Sequence, residues 1–240
     1  MPVLNQFLTG QDGTESQQLI HDFRRIVGVN ILLFSPLSIK ALAHLLDVAM
    51  DDINSRLTHL HSVLYVPDHF DMPARMLHLS FRDFLLDPKK KEANPFWTDE
   101  KDTHRFIFAR CMEVVQCSLK KNICGLKSYG TLRSDMADED VSRHLAPEVQ
   151  YACRYGAKHF IQIQKPVAEL NKVFLFLEVH FLHWVEAMSI IGCMSEVVRP
   201  HRFATINREG IMFQTLWERC IAEAFCVIGK QNSRCIGVFA

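Results

Sequence analysis

The chain opens with a long helical pattern of apolar positions. From about Glu15 onwards, apolar residues return every three or four positions, and the pattern continues towards Phe34. This spacing predicts an amphipathic helix with one buried face. Its inward positions are Leu19, Ile20, Phe23, Ile26 and Val27. Residues 1–14, which end in a turn-forming cluster, are expected to be flexible.

Two shorter helices are predicted next. Ser38 follows a Ser-Pro break and is a typical N-cap residue, so a helix should begin directly after it. Its inward positions are Leu42, Leu45 and Leu46. Asp51 and Asp52 suit the start of another helix, because acidic side chains favour helix N-termini. That helix begins an apolar stripe made of Ile53, Leu57, Leu60 and Leu64.

A small β-hairpin follows, with strands predicted at residues 63–66 and 75–79 and a turn rich in Pro and Asp between them. The second strand runs directly into a helix. Ser80 is predicted to cap that helix, and Asp83, three residues later, resembles a capping box. Phe81, Phe84 and Leu85 should lock the helix to the core. Three helices followed by a hairpin indicate a winged helix.

The second half of the chain is predicted to be helical. Thr98 should cap a helix over residues 98–119, and residues 120–146 should form a loop with one short helix. Pro147 suits the first turn of a helix that reaches about residue 164. A strongly apolar helix is predicted at 167–188, with a further turn or two before Pro200. Residues 211–228 could form one more helix.

The predicted fold class is therefore mainly α, a winged helix with a small β-hairpin followed by a helical array. We predict a flexible N-terminus (1–14), a winged-helix domain (15–90), a helical linker domain (95–200) and a divergent tail (201–240), which could be partly helical.

Composition narrows the protein class. Hydrophobic residues make up 48% and charged residues 22% of the 240 positions, the net charge is zero, and none of the eight cysteines forms a C-x-x-C pair. These values are typical of a soluble globular protein, and they argue against a polyanion binder and a local zinc site. The most apolar stretch, residues 173–185, contains Glu178, His180 and His183, so it should not cross a membrane. We expect a cytoplasmic protein.

His78 is the candidate binding residue. It lies where the predicted strand ends and a helix begins, and a helix N-terminus favours anions such as phosphate. A single histidine is a weak signal by itself, because most such residues are structural.

Several motifs, in order over residues 2–198, resemble fungal NACHT–WD-repeat proteins, the vegetative or heterokaryon incompatibility receptors of the NLR-like STAND NTPase class. They are residues 2–6 (PVLNQ), 26–29 (IVGV), 36–38 (PLS), 60–64 (LHSVL), 77–85 (LHLSFRDFL), 96–97 (FW), 99–101 (DEK), 119–124 (LKKNIC), 147–148 (PE), 150–153 (QYAC) and 180–187 (HFLHWVEA).

The resemblance implies the winged-helix region that follows the nucleotide-binding core, plus the helical linker before the WD repeats. It also implies that His78 reaches the phosphates of ATP or ADP in the parent family. The chain itself has no Gly-x-x-x-x-Gly-Lys-Ser/Thr loop. We therefore expect a non-enzymatic regulatory and interaction segment with no catalytic residue and no cofactor of its own. Its expected partner is the NTPase core or a full-length receptor. Gly156 departs from the bulky aromatic that the family tends to carry.

Three alternatives remain open. A winged-helix DNA-binding protein would read DNA through residues 51–62, but Arg56 is the only permanent cation there, so we expect no nucleic-acid partner. A metal hydrolase would use His180 and His183 with Glu178 and Glu186, a spacing that does not match helical zinc hydrolases. A decoy or partner-binding module would dock on receptors through an exposed apolar patch at Val29, Ile31, Leu32 and Leu33.

Overall fold

The computed structural model describes residues 13–58, 60–67, 69–128, 131–163 and 167–198. The chain divides into two compact units, Met1–Arg110 and Cys111–Ala240. The predicted domain bounds stay predictions. The tail 201–240, with its predicted helix at 211–228, and most of the predicted flexible N-terminus lie outside the described residues.

The first unit begins with three helices, α1 (Gly13–Leu32), α2 (Ile39–Leu46) and α3 (Met50–Thr58). Ser38 caps α2 as predicted, since its side chain accepts a hydrogen bond from the backbone N–H of Ala41 at 3.1 Å. Asp47 ends α2 in the left-handed conformation at a φ of 55°. The predicted inward leucines are confirmed, because Leu42, Leu45 and Leu46 are buried.

A two-stranded antiparallel hairpin follows α3. It pairs β1 (Leu64–Tyr65) with β2 (Arg75–Met76), Leu64 opposite Met76 and Tyr65 opposite Arg75. The predicted stripe continues from α3 into this hairpin, and its members Ile53, Leu57, Leu60 and Leu64 are all fully buried. A mainly helical chain with one small β-hairpin is therefore confirmed. The second strand ends at Met76, three residues earlier than predicted.

Two further helices follow, α4 (Leu79–Leu86) and α5 (Glu100–Ser118), with a 3₁₀ turn at Pro88–Lys90 between them, and α5 continues past Arg110 into the second unit. The prediction that Thr98 caps α5 is wrong. Asp99 is the cap, since its side chain accepts hydrogen bonds from the N–H groups of Lys101 and Asp102 at 3.0 and 3.2 Å. Thr98 is buried instead, and its N–H donates to Leu85 O at 2.9 Å.

In its described part, the second unit contains the end of α5 and four further α-helices. They are α6 (Asp138–His144), α7 (Pro147–Gln162), α8 (Val167–Ile190) and α9 (Met194–Val198). The short helix predicted in the 120–146 loop is confirmed by α6, and Pro147 lies in the first turn of α7 as predicted.

Side-chain contacts join the helices of the second unit. The buried indole of Trp184 on α8 donates to Cys153 O on α7 at 2.9 Å. Arg154 on α7 pairs with Glu196 on α9 at 2.6 Å. Glu186 on α8 accepts the N–H groups of Asn122 and Ile123, each at 3.1 Å, and so fixes the turn that follows α5.

The apolar run at the end of α1 is not an exposed patch. Val29, Ile31 and Leu32 are all buried, and Leu33 is half-buried. The prediction of a docking patch there is wrong, because these side chains are buried. Among the described helices, none combines the length and apolarity needed to cross a bilayer.

Candidate functional site

The hairpin and α4 together position His78. Strand β2 ends at Met76, the N–H of Leu77 still donates to Val63 O at 3.0 Å, and α4 begins at Leu79. His78 is therefore held between a paired strand and a helix, with an extended backbone at φ −145° and ψ 132°. Its side chain is exposed.

His78 caps the helix that it precedes. Its Nδ1 accepts a hydrogen bond from the backbone N–H of Ser80 at 3.1 Å, and the Ser80 hydroxyl lies 2.7 Å from the same nitrogen. The prediction that Ser80 is the cap, with Asp83 completing a capping box, is therefore wrong. The backbone is still extended at His78 and already helical at Ser80, so Ser80 occupies the first turn and cannot serve as N-cap.

The cap determines which ring nitrogen carries the proton. Because Nδ1 accepts from a backbone N–H, the neutral ring of His78 must carry its proton on Nε2. No described residue forms a hydrogen bond with Nε2. An exposed imidazole with Nε2–H as its donor can bond a phosphate or carboxylate oxygen.

The backbone donors at this helix terminus are partly occupied. The N–H of Ser80 bonds His78 Nδ1, and the N–H of Phe81 bonds His78 O at 3.2 Å. An anion at the junction would therefore accept a hydrogen bond from the Nε2–H of the ring and not from the N–H groups of Ser80 and Phe81. This revises the sequence argument, which relied on the backbone donors of the helix.

The two sequence neighbours of His78 are exposed leucines. Leu77 is 57% exposed and Leu79 is 70% exposed. On the opposite face of α4, Phe81 and Leu85 are fully buried, as predicted. Phe84 is only half-buried, and the ammonium of Lys90 lies 5.0 Å from its ring centre, so this aromatic contributes less to the core than predicted.

A shallow groove of about 610 Å³ runs along α4, but it does not include His78. Three of its side chains are acidic and two are basic, and Arg82 lies 3.7 Å from Glu100. This slight excess of negative charge gives the groove no preference for a polyphosphate. The lining residues are Ser80, Arg82, Asp83, Phe84, Leu86, Asp87, Lys90 and Glu100.

The histidine pair on α8 is poorly suited to metal binding. The Nδ1 atoms of His180 and His183 lie 3.4 Å apart, and Phe176 stacks on His180 with 5.5 Å between ring centres. Across the described residues, no three metal-ligating side chains come together. Two half-buried histidines with an aromatic neighbour fit the rim of a packed helix, which is how we interpret them.

The helix proposed for DNA reading has little free positive charge. It ends at Thr58, short of the predicted residue 62, and Arg56 pairs with Asp22 on α1 at 3.0 Å. The single permanent cation of this helix is thus engaged within the protein. Sequence-independent DNA binding rests on several free cations, so the geometry disfavours that alternative.

Two buried histidines were not anticipated from the sequence. His104 on α5 is buried, and desolvation, with a further contribution from the nearby Arg82 cation, lowers its pKa from 6.5 to about 4. His159 on α7 is fully buried, and its Nε2 lies 2.7 Å from the Tyr151 hydroxyl. The shared helical face of Tyr151 and His159 was a usable signal, whereas nothing local marks His104 as buried.

The sequence is similar to part of a much longer known protein. It is 23% identical over 221 aligned positions to the vegetative incompatibility protein HET-E-1 of Podospora anserina. The alignment covers 83% of this chain and 16% of that protein, so the chain spans less than a fifth of its relative. No family model matches the chain, and no solved structure matches it. The chain is thus distantly related to a fungal incompatibility protein.

Proposed function

We propose that this chain is a non-enzymatic regulatory segment of an incompatibility-type STAND receptor, in which the first unit acts as the winged helix. The expected partner is the NTPase core of the same receptor type. His78 would contact the phosphates of a nucleotide held by that core. The proposal also includes a cytoplasmic location.

The observation that supports this proposal most is the exposed His78 ring at the hairpin–helix junction, with Nε2–H as its outward donor. This residue lies in the portion of the sequence that resembles the receptors. The first unit contains three helices followed by a hairpin, the order that indicates a winged helix. The distant relationship to an incompatibility protein favours the same role.

The energetics argue against a nucleotide site within the chain itself. One hydrogen bond to a charged group contributes about 1.5–3 kcal/mol. Micromolar binding requires about 8 kcal/mol. The groove on the same helix adds no net positive charge, because it has three acidic and two basic side chains. The donor can therefore adjust the affinity of a nucleotide held elsewhere, but it cannot hold one alone.

Calorimetric titration of the purified chain with ADP and with Mg·ATP tests this part of the proposal. We expect no saturable binding in the micromolar range. A low-micromolar dissociation constant for either nucleotide would show that the chain has its own site. It would refute the proposal that the NTPase core holds the nucleotide.

Sequencing of the mRNA tests the link between this chain and a receptor. We expect an mRNA that joins this reading frame to an upstream Gly-x-x-x-x-Gly-Lys-Ser/Thr segment. In that longer product, His78→Ala should weaken ADP binding roughly 10- to 150-fold, the equivalent of one charge-assisted hydrogen bond. His69→Ala, at another exposed histidine of the first unit, is the matched control and should leave the ADP affinity unchanged. Equal affinities in all three proteins would refute the role of His78.

A further inference from the structure

The shallow groove along α4 contains one carboxylate that its own basic side chains leave unpaired. We refer to this space of about 610 Å³ as the α4 groove. Glu100 lies 3.7 Å from the guanidinium of Arg82, and Asp87 lies 3.5 Å from the ammonium of Lys90. Asp83, the remaining acidic side chain, forms neither a hydrogen bond nor an ion pair with any described residue. The uncompensated negative charge of the groove is therefore located at Asp83.

The surface of α4 presents further acceptor atoms beside this carboxylate. Ser80 and Asp83 are three residues apart in α4, so they share one face of the helix, and both are exposed. Because Nδ1 of His78 carries no proton, the Ser80 hydroxyl donates to it and keeps its own lone pairs as acceptors. This face of the helix therefore offers oxygen acceptors to a ligand that carries several N–H donors.

One cation of the chain itself already lies in the groove. The ammonium of Lys90 is 3.5 Å from Asp87 and 5.0 Å from the centre of the Phe84 ring. A cation within about 6 Å of an aromatic ring is attracted to the ring face. Phe84 and Leu86 also line the groove, so apolar surface adjoins the free carboxylate of Asp83. The groove is therefore suited to a cationic group on an apolar stem.

We propose that the α4 groove binds an arginine side chain of a protein partner. Its guanidinium pairs with Asp83, and its methylene groups contact Phe84 and Leu86. Arginine fits better than lysine, because its planar guanidinium has five N–H donors and can bond the Asp83 carboxylate and the Ser80 hydroxyl together. Such binding does not depend on the nucleotide contact of His78, which does not line the groove.

The shape of the groove favours a side chain of a protein over a free small molecule. Small-molecule sites usually bury about 70–90% of the ligand surface. A shallow groove lined by exposed side chains cannot enclose a ligand to that extent. One exposed ion pair raises an affinity by at most about fivefold. The remaining contacts must therefore come from the protein surface that surrounds the arginine.

An NMR titration of the full chain tests the proposal, with the peptide acetyl-Leu-Arg-Leu-amide as the probe. In ¹⁵N–¹H correlation spectra, we expect the backbone amide signals of residues 80–87 to shift and to saturate at millimolar peptide concentrations. The same peptide with citrulline, a neutral group of the same shape, should bind about fivefold more weakly. The lysine peptide should also bind more weakly than the arginine peptide.

Two variants locate the binding site of the arginine peptide. Asp83→Asn should weaken its binding about fivefold, and the fold should be retained because the side chain is exposed. Asp71→Asn is the matched control, since Asp71 is an exposed carboxylate that does not line the groove, and it should leave the affinity unchanged.

Four results would overturn the proposal. Equal binding of the arginine and citrulline peptides would show that the groove does not recognise the positive charge. Equal binding of the lysine peptide would remove the preference for arginine. An affinity that is unchanged in Asp83→Asn, or that falls equally in Asp71→Asn, would exclude Asp83 as the specific partner. A dimeric mass in light scattering, with the signals of residues 80–87 shifting as the protein concentration rises, would assign the groove to a second copy of the chain. Saturable binding that requires both the guanidinium and Asp83 supports the proposal.

Discussion

A methyl group added at Gly28 should collide with a buried threonine. Gly28 lies in the buried face of α1, and a Cβ atom built on it comes within 2.9 Å of Thr98 Cγ2 and 3.2 Å of Thr98 Oγ1. Thr98 is 2% exposed and is held by two hydrogen bonds, from its N–H to Leu85 O and from its hydroxyl to Phe96 O. The threonine cannot move aside without breaking one of these bonds.

The net effect of Gly28→Ala is the difference between two opposing contributions. Alanine is favoured over glycine within a helix by about 1 kcal/mol. Overpacking of a filled core costs about 1–3 kcal/mol. We therefore expect Gly28→Ala to lower the free energy of unfolding by about 1 kcal/mol.

Gly156→Ala is the matched comparison and should have the opposite sign. Its added Cβ would lie 3.5 Å from Cys111 Cβ, which is an ordinary van der Waals contact. With no collision, the helix propensity should stabilise α7 by about 1 kcal/mol. The two substitutions should therefore differ by about 2 kcal/mol, although both exchange a buried helical glycine for alanine.

Urea denaturation followed by circular dichroism measures both effects. Thr98→Ser removes the Cγ2 atom and keeps the hydroxyl, so the double variant Gly28→Ala/Thr98→Ser should show a smaller cost for the added methyl group than Gly28→Ala alone. The reasoning is refuted if Gly28→Ala is as stable as the unsubstituted chain or more stable. It is equally refuted if the cost of Gly28→Ala is the same in the Thr98→Ser background.

Further predictions concern the pH dependence of stability, the turn at residues 122–123 and the reactivity of the Cys153 thiol. Burial lowers the pKa of His104 to about 4, so the unfolded chain binds this proton first as the pH falls from 6.5 to 4. The unsubstituted chain should lose up to about 3 kcal/mol more stability across that window than His104→Asn, measured by urea denaturation, and an equal loss in both proteins would contradict this. Glu186→Ala should cost about 2 kcal/mol and increase amide exchange in the turn that this carboxylate caps, and unchanged exchange would contradict that role. Burial raises the pKa of Cys153 to about 12, so iodoacetamide at neutral pH should label exposed Cys117 but spare Cys153 until the chain unfolds.

The elements that the sequence predicted correctly depend on local spacing. Ser38 directly precedes its helix after a Ser-Pro break, and Leu42, Leu45 and Leu46 follow at helical intervals. The hairpin was predictable because apolar runs flank a turn rich in Pro and Asp. Such signals lie within about ten residues of the feature that they describe.

The errors arose where distant contacts decide the outcome. Whether Ser80 or His78 caps α4 depends on where the chain leaves the extended conformation, which the bond from Leu77 N–H to Val63 O sets. Val29 is likewise fully buried, an outcome that depends on packing against parts of the chain distant in sequence. His78 could therefore be selected as a candidate from the sequence, but the identity of its donor atom required the structure.

The measurement that tests the account most directly is to determine which nitrogen of the His78 ring carries the proton. Two-dimensional ¹⁵N–¹H correlation spectra of the histidine side chains, recorded on the full chain above pH 7, distinguish a protonated from an unprotonated ring nitrogen. We predict a proton on Nε2 and a bare Nδ1 that is bonded by the Ser80 N–H. A proton on Nδ1 would break this cap, remove the outward donor and contradict the proposed contact with phosphate.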